Sequence, residues 1–185
     1  KPLAARDLIF KNGLGGFTRD GHEYVITLPA GQVTPAPWVN VLANPNFGTV
    51  VSEGGSAYTW AENSHEFRVT PWDNDAVEDK SGEACYIRDE DTGEFWSPTP
   101  LPARGETPYV IRHGFGYSVF EHTENGIVSE MWVYVATDAP VKFNLLKLSN
   151  ISGRPRKLSV TGYWEWVLGV VRRKSLLHVQ TEIEL

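Results

Sequence analysis

Trp60, Arg112, His113 and Tyr117 are the side chains whose types and spacing could do chemistry in this chain. The run Arg112-His113-Gly114-Phe115-Gly116-Tyr117 offers a planar donor fork, a titratable imidazole and an aromatic ring, and its two glycines allow a ligand close to the backbone. Upstream, Thr34 to Trp60 (TPAPWVNVLANPNFGTVVSEGGSAYTW) ends in a glycine-rich turn that would present Tyr58 or Trp60 from a hairpin, and WSPTP at Trp96 to Pro100 adds a third aromatic segment broken by proline. Flat apolar rings beside polar groups suit a pyranose, whose C–H face stacks on a ring while its hydroxyls need hydrogen-bond partners. Each segment also has a structural reading: Arg112 and His113 paired with carboxylates to hold a bend, and Trp60 buried beneath a plain turn.

Other constellations are weaker. Acid/base catalysis on a sugar needs two placed carboxylates with different pKa values, and Glu53 and Glu165 lie among aromatics, but spacing alone does not set their separation. No catalytic residue is therefore assigned. Ser52 to Trp60 lacks the helix and lysine of a phosphate cradle, and Asn12 to Phe17 precedes a strand rather than opening a helix, which rejects a dinucleotide fingerprint. Asp73-Asn74-Asp75 with Glu78 and Asp79 lacks the calcium-loop spacing and reads as a solvated acidic loop. No metal or cofactor is implied.

The elements that must position these residues repeat with period two. Ile127, Ser129, Met131, Val133 and Val135 alternate with Val128, Glu130, Trp132 and Tyr134, so both faces carry apolar groups, as in layered sheets. Strands are predicted at 23–28, 47–53, 57–61, 65–70, 84–90, 94–97, 109–113, 115–122, 127–136, 141–150, 156–168 and 176–185. Asp91-Thr92-Gly93, Asn125-Gly126 and Ser152-Gly153-Arg154-Pro155 are turn signals between them, Asn125-Gly126 being the clearest. In Val141 to Asn150 the inward set changes phase between Leu145 and Leu146, which predicts a β-bulge. No helical stripe of useful length exists, and the 17 glycines and 12 prolines are scattered. The fold class is all-β, read as a single carbohydrate-associated β-sandwich domain over 1–185.

Composition narrows the partners. With Lys+Arg at 17 against Asp+Glu at 23, the net charge of −6 argues against a nucleic-acid footprint. Arg172-Arg173-Lys174 is the only basic cluster and reads as a solvated turn. The single cysteine, Cys85, excludes an internal disulfide, so the fold rests on apolar packing. No apolar run approaches the roughly 20 residues that span a bilayer, and the segment itself is expected to be soluble. Both ends read as cut from a longer polypeptide, with uncovered strand edges that lead us to expect self-association into a homo-oligomer.

Ordered segments along nearly the whole chain resemble the amino-terminal β-sandwich domain of the glycoside phosphorylase family that includes cellobiose phosphorylase, and within it the cyclic β-1,2-glucan synthase group. They are NGLGGFTRDGHEYVI at Asn12 to Ile26, TPAPWVNVLANPNFG at Thr34 to Gly48, GGSAYTWAENS at Gly54 to Ser64, TPWDND at Thr70 to Asp75, YIRDEDTGEFWSPTPLP at Tyr86 to Pro102, RHGFGYSVFEHTENGI at Arg112 to Ile127 and LSVTGYWEWVLG at Leu158 to Gly169. His22 stands where the family pattern has arginine. The resemblance implies a galactose-mutarotase-like supersandwich of large antiparallel sheets, followed in the full-length protein by an (α/α) barrel that carries the catalytic acid. It further implies a large enzyme of the bacterial inner membrane that builds β-1,2-glucan from UDP-glucose, with this fragment on the cytoplasmic side. The chain alone is then expected to be an inactive accessory domain that contacts β-glucan oligosaccharide through Trp60, Arg112, His113 and Tyr117. Two rivals remain: a free-standing sugar mutarotase or epimerase using His113 and Glu165, and a purely structural interaction domain whose aromatics are all core.

Overall fold

The structure is a computed structural model that describes residues 6–73, 75, 77–180 and 182–184. Its strands are β1 (Leu8–Ile9), β2 (Gly15–Thr18), β3 (Glu23–Leu28), β4 (Val39–Asn44), β5 (Phe47–Ser52), β6 (Ala57–Ala61), β7 (Glu83–Asp89), β8 (Phe95–Trp96), β9 (Tyr109–Gly114), β10 (Tyr117–Glu124), β11 (Ile127–Val135), β12 (Lys142–Asn150) and β13 (Leu158–Trp164). They form a seven-stranded antiparallel sheet, β1-β2-β3-β9-β10-β11-β12, and two three-stranded sheets, β4-β5-β6 and β13-β7-β8. Among the described residues the structure is all-β apart from one helical turn, α1 (Arg172–Ser175), and a 3-10 turn at Leu176–His178. Among the described residues no helix is long and apolar enough to cross a membrane.

Local chemistry explains the long β9-β10-β11-β12 meander. Asn125 and Gly126 both adopt positive φ (50° and 77°), the two-residue hairpin turn that matches strand twist, and they join β10 to β11 in unbroken register from Glu124–Ile127 to Tyr117–Tyr134. The period-two pattern then sends Tyr109 and Ile111 of β9, Phe120 of β10, and Met131 and Val133 of β11 to one side. There they meet Ile26 and Leu28 of β3, Leu42 of β4 and Val51 of β5. Ile87, Trp96 and Ile127 form a second cluster between β7, β8 and β11. Each such side chain fully removed from water contributes about 1.5–3 kcal/mol, so these clusters dominate the driving force.

The structure corrects three expectations. β12 pairs with β11 without a bulge, from Ile127–Asn150 to Val135–Lys142, so Phe143 and Leu145 point away from the core and stand about half exposed. The apparent phase change came from apolar residues on both faces of a regular strand. The predicted strand at 176–185 is not formed: Leu176–His178 is a 3-10 turn, 179, 180 and 182–184 carry no strand, and Thr181 and Leu185 lie outside the described residues, as does Asn74 of the acidic loop. The predicted strand at 65–70 reduces to a single bridge between Trp60 and Arg68.

β4 was missed for a definable reason. Asn40, Leu42 and Asn44 face inward while Val39 and Val41 stand exposed, the reverse of the usual apolar-in pattern. The two asparagines clamp β4 to the large sheet: Asn40 Nδ2 donates to Gly114 O (3.0 Å) and Tyr117 O (2.9 Å), and Asn44 Nδ2 to Ala136 O and Ala139 O (both 2.8 Å).

Candidate functional site: the outer face of the large sheet

Arg112 and Tyr117 come together on the outer face of the seven-stranded sheet. Register places Arg112, Val119, Trp132 and Leu145 in one cross-strand row, and Gly114, Tyr117, Tyr134 and Phe143 in the next. Gly114 is needed there, because a Cβ at that position would lie 2.4 Å from the Tyr117 ring. The ring fills the space a side chain would take, and its hydroxyl donates to Glu23 Oε1 at 2.8 Å. Arg112 bridges two carboxylates: Nη1 pairs with the same Glu23 Oε1, and Nε donates to Glu121 Oε1 at 2.9 Å. Its guanidinium carbon stands 5.5 Å from the centre of the Trp132 ring.

The platform continues around Trp132. Tyr117 tilts against it at 5.3 Å, its Nε1 donates to Glu130 Oε1 (2.7 Å), and Lys147 Nζ lies 5.6 Å above it while pairing with Glu130 at 3.0 Å. Tyr134 stacks on Phe143 at 5.0 Å. The Glu130 carboxyl is held below its ordinary pKa, chiefly by the Trp132 indole and then by Lys147. Burial, with Glu23 beside it, pushes the Tyr117 phenol up, so it remains a donor at neutral pH. The result is a sheet face of aromatic rings rimmed by charged hydrogen-bonding groups, with Phe143 at 43% and Leu145 at 48% exposure.

His113 lies on the opposite face of β9. A backbone carbonyl can only accept, so Nε2 carries the proton and donates to Trp38 O (3.2 Å) while Nδ1 accepts from Ser118 Oγ (2.9 Å). Burial brings the imidazole pKa down to about 4, which keeps it neutral. Both ring nitrogens are thus used, Nε2 in joining β9 to the loop before β4 and Nδ1 in joining it to Ser118 of β10. Glu165 is elsewhere, paired with Arg172, and among the described residues no hydrogen bond or ion pair joins it to His113. Trp60 sits on the β4-β5-β6 sheet, its ring covering Gly48 and lying 5.2 Å from Tyr58. Glu53 is buried, accepting from Thr34 Oγ1 and from Trp38 N at 2.7 Å, and burial raises its pKa.

Of the four predicted site residues, then, two share a face and two stand apart. Alternation alone separates adjacent residues such as Arg112 and His113. Trp132, Glu23 and Glu121 were not singled out from sequence, although Trp132 belongs to the outward set of β11. A cavity of about 220 Å³ lies between the sheets, lined by apolar groups such as Phe120, Met131 and Trp164. Its one charged pair, Glu83 and Lys142, is tied up: Glu83 accepts from Lys142 Nζ (2.5 Å), Thr59 Oγ1 (2.6 Å) and Thr70 Oγ1 (2.7 Å).

Comparison with known proteins gives the relationships. The family described as "Glycosyl hydrolase 94, supersandwich domain" matches residues 22–185. The chain is 42% identical over 181 residues to the cyclic beta-(1,2)-glucan synthase NdvB of Rhizobium meliloti, covering 97% of this chain and 6% of that protein. It is 35% identical over 155 residues to an N,N'-diacetylchitobiose phosphorylase of Vibrio furnissii (82% of this chain, 19% of that protein). With a solabiose phosphorylase of Paenibacillus borealis it shares 31% identity over 166 residues (88% and 21%). The chain therefore spans about a fifth or less of the length of these relatives.

Proposed function

Because the chain belongs to the glycosyl hydrolase 94 supersandwich family, we propose that it is an accessory, carbohydrate-binding β-sandwich domain of a β-glucan-processing glycosyltransferase or glycoside phosphorylase. Residues 1–185 act as one unit that lies against a catalytic (α/α) barrel in the full-length polypeptide, at the cytoplasmic side of a bacterial inner membrane. The observation that carries the binding role is the grouping of the half-buried Arg112, Tyr117 and Trp132 on the outer sheet face. A pyranose stacks on the Trp132–Tyr117 surface and exchanges hydroxyl hydrogen bonds with Arg112, Glu23 and Glu130. His113 and Trp60 serve this face only indirectly, by holding the β4-β5-β6 sheet in place. The chain by itself performs no glycosyl transfer, since the catalytic acid belongs to the barrel.

Stacking of one ring is worth on the order of 1 kcal/mol, so isolated affinity is about millimolar. The test is titration of β-1,2- and β-1,4-gluco-oligosaccharides while indole and amide NMR shifts are followed. Shifts should centre on Trp132 and Tyr117 and be lost in Arg112→Gln. Shifts confined to residues remote from this face, or glucose mutarotation by the chain that disappears in His113→Ala, would overturn the accessory-domain reading.

A further inference from the structure

We infer that the cleft bounded by segments 68–73, 80–82 and 165–173 is a second binding site, one that takes an anionic saccharide carrying a phosphate or carboxylate group. The cleft has a volume of about 630 Å³ and shares no residue with the outer face of the large sheet. Four cations line it, Arg68, Lys80, Arg172 and Arg173, against two carboxylates, Asp73 and Glu165. In a chain of net charge −6 this is a local reversal of sign.

The cations converge because backbone hydrogen bonds tie distant segments together. Glu165 N donates to Gly82 O (2.7 Å), Val167 N to Val69 O (2.9 Å) and Gly169 N to Arg68 O (2.9 Å), and Val167 is buried at 3% exposure. The wall bearing Arg172 and Arg173 is thus fixed against the loop bearing Arg68 and Trp72. The basic cluster that reads as a solvated turn from sequence becomes one side of a built cleft.

Two of the cations are themselves exposed and paired: Lys80 with the exposed Glu78, a pair that yields readily, and Arg172 with the half-buried Glu165. Arg68 has more to gain. Its Nε is buried without a hydrogen-bond partner, its Nη1 makes only a long bond to Trp72 O (3.4 Å), and its side chain lines the cleft, so the guanidinium is weakly satisfied where it stands. Arginine's fork matches the geometry of carboxylate and phosphate oxygens.

The remaining lining argues for a sugar rather than a bare ion. Trp72 rests on Tyr58 (4.7 Å between ring centres) and keeps 37% of its surface exposed, which leaves an apolar platform at the cleft. Asp73 and Glu165 supply acceptors for hydroxyl groups and would repel a polyanion. A concave, half-open shape, one ring, several cations and two acceptors together fit a small molecule with an oxyanion at one end and hydroxyls at the other.

The test uses the 185-residue chain with nitrogen-15 in its tryptophan indoles, at low ionic strength so that screening is weak. Glucose 6-phosphate, glucuronate, inorganic phosphate and glucose are titrated separately. Glucose 6-phosphate or glucuronate should shift the Trp72 indole at concentrations where glucose does not, and the responding member of the pair identifies the oxyanion. Added salt should weaken the response. Arg173→Gln, a change at an exposed side chain, should weaken it about fivefold, and Arg68→Gln should remove it while leaving the Trp132 indole unchanged. Equal response to glucose, a response to inorganic phosphate that leaves the Trp72 indole unmoved, or undiminished binding in a folded Arg173→Gln protein would overturn the assignment.

Discussion

The two faces of β9 make a controlled pair. Arg112 and His113 are neighbours in sequence, yet one lies at a wet sheet face and the other at a joint between sheets. At the outer face Arg112, Tyr117 and Glu23 satisfy one another, and each retains a path to solvent through which a ligand can take over a bond. At the joint, Trp38, His113, Ser118 and Asn40 are linked by a chain of hydrogen bonds, and Lys142 with Glu83 closes a ring among three threonines. The same residue types therefore stand ready for exchange where their bonds are replaceable and serve as scaffold where they are not. Burial sets the difference, because an unpaired polar group costs far more in the interior than at the surface.

The largest effect should come from breaking the joint. Burial alone would raise the Glu83 pKa, but Lys142, with Thr59 and Thr70, outweighs it and holds the carboxyl below its ordinary value. Lys142→Met leaves that charge buried and unpaired, and should cost about 3–5 kcal/mol in urea unfolding, with partial recovery in Lys142→Met/Glu83→Gln. A loss under about 1 kcal/mol would mean that the joint is no drier than the outer face.

Next in size is a pH dependence. Burial lowers His113 to about 4, so between pH 6.5 and 4 the unfolded chain binds a proton that the folded chain refuses. The stability it contributes is intact above pH 6.5 and falls as pH drops toward 4, at up to about 1.4 kcal/mol per pH unit. His122, also lowered by burial, adds in the same direction. His113→Gln should flatten part of this slope in denaturation at pH 7 and pH 4.5, and an unchanged slope would remove His113 from the joint.

Two glycines sharpen the contrast. A Cβ at Gly48 would lie 2.3 Å from the Trp60 ring and one at Gly114 2.4 Å from the Tyr117 ring. Each alanine substitution should cost about 1–3 kcal/mol by overpacking. Only Gly114→Ala should also reduce the oligosaccharide-induced Trp132 shift, by displacing Tyr117 from Glu23, whereas equal reductions would couple the two sheets. The smallest change is Lys147→Gln at the exposed rim, with stability held within about 0.5 kcal/mol and oligosaccharide affinity only slightly weakened.

Much of the architecture was legible beforehand. Alternation across Ile127 to Val135, the Asn125-Gly126 turn and the absence of a helical stripe specify an antiparallel meander through local sterics, and the family resemblance carried by ordered segments agrees with the supersandwich match over residues 22–185. β4 escaped because its inward positions are asparagines, whose bonding partners sit on β9, β10 and the β11–β12 connection. The bulge expected in β12 arose from reading Phe143 and Leu145 as core, when nothing local distinguishes an apolar residue on an exposed sheet face from one in the interior.

By itself the sequence determined the all-β class, the meander and the side of each strand on which neighbouring residues fall, because these depend on backbone sterics over a few residues. Only the tertiary structure decided that Tyr117 reaches Glu23 beside Arg112, that His113 seals a joint instead, and that Arg68 and Arg173 line one cleft. Those placements depend on how sheets far apart in the chain come to pack, and therefore on contacts that no local pattern encodes.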